Sequence, residues 1–141
     1  MSGKYNKIMV ALVGDGTELP VVKHAHQLSK ALHCTLVAIH VNDLNAGGMS
    51  MMMDTPKAID HETIQKQLLD YLDDDAFVET IDIIIDENES ISKAIEKHVL
   101  NCDLLIVGHR KMSQFKSNLM DSTDEGITNL VSCPVLVVQK E

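Results

Sequence analysis

"DLLIVG", residues 103–108, followed by "HRKMSQFKSNLMDSTDEGI", residues 109–127, reads as a buried strand that passes through a loop into a helix. Leu104, Leu105, Ile106 and Val107 form an unbroken apolar run, the pattern of a strand covered on both faces. In a parallel α/β protein such a junction is where a phosphate sits. Here the loop opens with Gly108 and then offers charges and bulky side chains instead of further glycines.

Four more apolar runs flank this one: "KIMVALV" (7–13), "TLVAIHV" (35–41), "VETIDIII" (78–85) and "PVLVVQ" (134–139). The 78–85 run alternates at first, with Val78, Thr80 and Asp82 set against Glu79, Ile81 and Ile83, so it is expected nearer a sheet edge. Helix-period segments lie between the runs. Residues 18–33 put Leu19, Val22, Ala25, Leu28 and Leu32 on one face, with Thr17 expected as N-cap and Pro20 in the first turn. Residues 57–73 group Ile64, Leu68, Leu69 and Leu72. Residues 89–101 group Ile91, Ala94, Ile95, His98 and Val99, with Asn88 as the expected cap, and a short last helix is expected near 122–131. Strict alternation of strand and helix predicts one α/β domain over residues 1–141, a parallel sheet with helices on both faces. Ligands of such sheets bind beyond the carboxyl ends of the strands, which directs attention to the loops after the first and fourth strands.

Composition narrows the function. A chain of 141 residues with 45% apolar content can bury a core without disulfides or metals. Aromatic residues are few (Tyr5, Tyr71, Phe77 and Phe115, with no Trp), so that core is aliphatic. A net charge of −9 argues against nucleic acid and anionic membranes as primary partners. Cys34, Cys102 and Cys133 lie in or beside apolar runs and read as buried, reduced thiols of a cytosolic protein. "MSGKYNK" leads straight into an apolar run without a signal-peptide pattern, and no run approaches the roughly 20 residues that span a bilayer. A cytoplasmic location is expected.

No catalytic or metal-ligating constellation emerges. His24 and His26 are two apart on a helix and face different sides. His40 reads as a packed, hydrogen-bonded core histidine, and His33, His61 and His98 read as isolated. There is no zinc spacing and no G-x-S-x-G motif. "DYLDDDAF" (70–77) reads as a solvated helix end that stops near Asp73. The stretch 42–56, with paired glycines and methionines clustered at 49–53, reads as a long surface loop over a cleft. Its methionines also suit an adaptable partner surface, or more weakly a soft metal.

This layout resembles the universal stress protein family. The resemblance covers nearly the whole chain, and it is carried by "AIHV" (38–41), "CDLLIVGHR" (102–110) and "LVSCPVLVV" (130–138). It implies a Rossmann-like, adenine nucleotide alpha hydrolase-like fold, three layers α/β/α around a five-stranded parallel sheet of order 3-2-1-4-5. Members that bind ATP carry G-x2-G-x9-G-[S/T] after the fourth strand, where glycines let backbone amides approach phosphate. Gly108 takes the first position, but Lys111 and Asp121 replace the later glycines, and Ser122 keeps the hydroxyl. Ser122 and Glu125 fit a capping box, and Asp121, Asp124 and Glu125 would repel a phosphate. His109, Arg110, Lys111 and Lys116 make the preceding loop basic. In the first loop Val13 stands where nucleotide-binding relatives have Asp, and Asp15 can serve only if that loop is longer. Val41 matches an adenine-side valine and is equally a core residue.

The resemblance is thus to the branch typified by universal stress protein A, which does not bind ATP. It implies a homodimer joined through the fifth strand by Val135, Leu136, Val137 and Val138, at an edge that would otherwise be exposed. The expected function is a cytoplasmic stress-response factor without catalytic residues or cofactor, acting on an unknown protein partner. The alternative is a module that binds ATP or AMP, or a weak ATPase, built on Asp15, Val41, Gly108, His109 and Ser122.

Overall fold

A computed structural model describes residues 5–43, 58–109 and 131–140. Five strands carry the architecture: β1 (Lys7–Ala11), β2 (Thr35–Asp43), β3 (Asp82–Asn88), β4 (Leu104–His109) and β5 (Val135–Gln139). Helices α1 (Leu19–Leu32), α2 (His61–Tyr71), α3 (Asp75–Thr80) and α4 (Ile91–His98) connect them. The sheet is parallel throughout, in the order β3-β2-β1-β4-β5. Chain order reverses between β1 and β4, so a crevice opens beyond their carboxyl ends. The expected fold class is the one observed.

Alternate residues of each strand enter two separate cores. Ile8, Val10, Leu36, Ala38, Leu104 and Ile106 pack with Val21, Val22 and Ala25 of α1 and with Ile64 and Leu68 of α2. Met9, Val37, Ile39, Leu105 and Val107 point the other way, onto Ala94 and Ile95 of α4. The continuous apolar runs follow directly, because each central strand is buried on both faces. Among the described residues no helix is long and apolar enough to cross a membrane.

The structure corrects several boundaries. The 78–85 run is not one strand. Its first part belongs to α3, where the Asp74 side chain accepts the Phe77 amide as N-cap and Val78 is buried. Val78 and Ile81 are three residues apart, and both join the core on the α1–α2 face. The strand starts only at Asp82 and lies at the sheet edge, as the alternation suggested. Helix α2 ends at Tyr71, short of Asp73. Ser90 caps α4 by accepting the Lys93 amide, while Asn88 accepts the Ser90 amide one step earlier. Thr17 is not the cap of α1. Glu18 holds that position without a capping bond, because its carboxylate is engaged elsewhere. His33 ends α1 in the left-handed region, at φ 56°, while the Cys34 amide bonds the Ser29 carbonyl at 2.9 Å.

Candidate functional site

The crevice is a cleft of about 390 Å³ whose walls come from β1, β2, β4, α4 and the residue after β5. Asp15, Val41, Gly108 and His109 all line it, so the structure brings together four of the five residues singled out for a nucleotide. Ser122 lies outside the described residues, as do Lys111, Asp121, the expected last helix through residue 130, and the methionines at 49–53. Leu12, Ile39, Ile91, Ile95 and Val107 make most of the wall aliphatic.

The loop after β1 carries more chemistry than its sequence suggests. Gly14 and Gly16 both sit at positive φ, 83° and 85°, a conformation that suits residues without a Cβ. These two turns fold the loop back so that Glu18, only 1% exposed, accepts the Val13 amide at 2.7 Å and the Gly14 amide at 2.9 Å. Burial pushes the Glu18 carboxyl up from its ordinary value, and the two amides partly offset this. The Gln67 side chain donates to the Gly14 carbonyl at 3.0 Å, and the Glu18 amide donates to the Tyr71 hydroxyl at 3.3 Å. Asp15 turns on itself, accepting the Thr17 amide at 3.0 Å and the Thr17 hydroxyl at 2.6 Å. Three amides of this loop are therefore bonded to carboxylates of the chain itself.

Lys140 is a further component that sequence reading missed. It follows the last strand and looks like an exposed terminal lysine, yet its side chain is only 7% exposed. Its amide bonds the His109 carbonyl at 2.9 Å, and its ammonium reaches to 3.7 Å from Asp15. The aliphatic stem crosses Gly108 so closely that a Cβ there would lie 3.2 Å from it and 2.7 Å from Val21. A side chain at residue 108 would therefore force Val21 and the Lys140 stem to shift, which gives this glycine a packing role of its own.

His40 forms part of the cleft floor and is the packed histidine expected. Nδ1 lies 2.9 Å from the Leu12 carbonyl and Nε2 lies 3.0 Å from Asn42 Oδ1. His98 is not isolated, since its Nε2 lies 2.8 Å from Asp86 and this contact holds the Asp86 carboxyl below the usual range. The acidic stretch 70–77 likewise is more than a solvated end. Asp74 binds His26 at 3.0 Å and Lys30 at 3.1 Å besides capping α3, and these bonds hold its carboxyl at about 2. Among the described residues no group of three or more acidic, histidine or cysteine side chains is placed to hold a metal. The three thiols are free; Cys102 is buried as expected, but Cys34 and Cys133 are only partly buried, and what burial each has pushes its thiol up.

At the β5 edge, Val138 is buried in the α1–α2 core and Leu136 packs against the same core. Val135 turns to the other core, and Val137 is 46% exposed. Of the four residues expected at a dimer contact, Val137 is the one whose side chain stays largely at the surface of the protomer, while Val138 already belongs to its interior.

An open crevice at the switch point of a 3-2-1-4-5 parallel sheet defines a Rossmann-like α/β domain. Residues 4–139 match the universal stress protein family, and the chain belongs to that family. A universal stress protein solved in complex with cAMP superposes with a TM-score of 0.69 at 16% identity, covering 99% of this chain and 100% of its own. The universal stress protein UspA from Lactobacillus plantarum gives 0.59 at 18% identity, covering 97% and 99%. A universal stress protein from Archaeoglobus fulgidus in complex with dAMP gives 0.54 at 14% identity, covering 95% and 98%. No curated protein matches the sequence.

Proposed function

We propose that this universal stress protein is a cytoplasmic, homodimeric stress-response factor that acts through protein contacts, without catalysis and without a resident cofactor. The observation that carries this reading is that the buried acid closing the loop after β1 and the histidine in the cleft are already engaged within the chain. Both Glu18 oxygens hold loop amides, and both His40 nitrogens face partners within the chain. Groups so engaged build the crevice, and using them on a substrate would break the loop that shapes it. The loop amides bonded to carboxylates are likewise withdrawn from phosphate. The test is the nucleotide content of freshly purified protein by denaturation and mass spectrometry, followed by calorimetric titration with ATP and Mg²⁺. Absence of both nucleotide and heat is expected.

A second reading, binding of ATP or AMP, is favoured by one specific observation: Asp15, Val41, Gly108 and His109 share one cleft. Solved relatives with cAMP or dAMP lend it support. A stoichiometric nucleotide in the same assay would establish it in place of the first.

A further inference from the structure

His40 sits between two hydrogen-bond acceptors. The first is the Leu12 backbone carbonyl, which can only accept. The second is Asn42 Oδ1, and the orientation of that amide is set by its other bonds. Asn42 Nδ2 donates to the Ile59 carbonyl at 2.9 Å, and the Ile59 amide donates to Asn42 Oδ1 at 3.0 Å. Turning the amide over would set oxygen against oxygen and N–H against N–H at Ile59, so the oxygen faces His40. A neutral imidazole has one N–H and one lone pair, and it can satisfy only one of the two acceptors. The imidazolium has two N–H groups and satisfies both.

We infer that His40 is a proton-operated latch of the cleft, fastening residue Asn42 and segment 58–60 to the end of β1 when both ring nitrogens carry a proton and releasing them when one is lost. The geometry also says which contact opens. Leu12 is held in place because its amide bonds the Ile39 carbonyl at 2.8 Å. Asn42 is a half-buried side chain and can turn. Proton loss from Nε2 therefore leaves a lone pair facing Asn42 Oδ1, and Asn42 moves away. Ile59 moves with it, since Asn42 holds both of its backbone polar groups. The Ile59 side chain lies over Gly14, so its departure uncovers the loop after β1.

Other charges share the cleft. The loop after β1 brings Asp15, β4 ends in His109, and Lys140 follows β5. Lys140 lies 3.7 Å from Asp15, so the acid's charge is partly offset before it acts on the ring. Beside His40, β3 presents Ile85 in register and α4 presents Ile91 and Ile95, which are uncharged. Near the ring, the buried Glu18 carboxylate binds the Gly14 amide. Around Asn42 and Ile59 lie Glu87, in register on β3, and Asp60 and His61, so the two acceptors build the latch with these charges around it. It is independent of whether the cleft takes a nucleotide.

The test is an NMR titration of the full chain, reading the His40 ring nitrogens together with the exchange rate of the Ile59 amide. His61 lies two residues from Ile59, so the titration is made on wild type and on His61→Gln. The expected result is that His40 loses its Nε2 proton as pH rises. In the same step the Ile59 amide should exchange about tenfold faster after correction for base catalysis, in both proteins. His40→Gln should abolish that step. A His40 ring that stays a single neutral tautomer throughout would overturn the inference. So would an Ile59 transition that vanishes in His61→Gln, or one that persists in a folded His40→Gln. If His40→Gln does not fold, the comparison of wild type with His61→Gln decides alone.

Discussion

The Glu18 carboxylate accepts the Val13 amide at 2.7 Å from a site only 1% exposed, so the acid before α1 closes the loop after β1. Replacing it with Ala leaves the Val13 and Gly14 amides without their acceptor. These bonds are only part-buried and Val13 is exposed, so water can replace part of what is lost, and Glu18→Ala is expected to lose about 1–3 kcal/mol in urea denaturation. The same group makes stability depend on pH. Its folded value is raised above 4.5, so the native chain keeps a proton that the unfolded chain releases. Stability contributed by this group therefore falls as pH rises from 4.5 through the folded value, and Glu18→Gln should lack that slope.

Gly108→Ala tests whether this glycine serves packing. The added Cβ would meet Val21 at 2.7 Å and the Lys140 stem at 3.2 Å. Val21 is fully buried and cannot step aside without disturbing α1. A loss of about 1–3 kcal/mol is expected, with Gly108→Val worse, both read from denaturant midpoints in the absence of any ligand. An unchanged midpoint would show that the β4 end yields easily.

Asp74 links α1 to α3 through His26 and Lys30. Its carboxyl is lowered from 3.8 to about 2, so its contribution is complete above 3.8 and is lost as pH falls toward about 2. Asp74→Asn should have a lower melting temperature than wild type at neutral pH. The two curves should converge in acid, as followed by circular dichroism.

Val137→Asp places a charge on an exposed position of the edge strand β5. The protomer should keep its fold, and the proposed dimer predicts that wild type sediments as a dimer and Val137→Asp as a monomer. A Val137→Asp protein that still sediments as a dimer would move the interface elsewhere. Val138→Asp is the contrasting case, since it buries a charge in the core and should prevent folding.

Much of this was readable in one dimension because it depends on local pattern. The runs at β1, β2 and β4 are continuous in Val, Leu and Ile since both faces are covered, whereas β5 leaves Val137 exposed. In α1 the expected face holds at Val22 and Ala25, while Leu19 and Leu32, expected on it, stay exposed. The third run misled because Val, Thr and Ile favour strands, whereas Val78 and Ile81, three apart, share a face only in a helical turn, and the Asp74 cap decided for the helix. His98 read as solitary since Asp86, its partner, lies on another element.

The sequence by itself determined the alternation of elements, hence a parallel α/β sheet with its crevice beyond the strand ends, while only the resemblance to the universal stress protein family pointed to Asp15, Val41, Gly108, His109 and Ser122. What the first four of these do was decided only by the tertiary structure. Glu18, Lys140 and the pair His40–Asn42 acquire their roles from partners brought together by the fold. Burial and hydrogen bonding depend on distance in space, and a terminal lysine or a helix-start glutamate carries no local mark of the cavity into which the fold turns it.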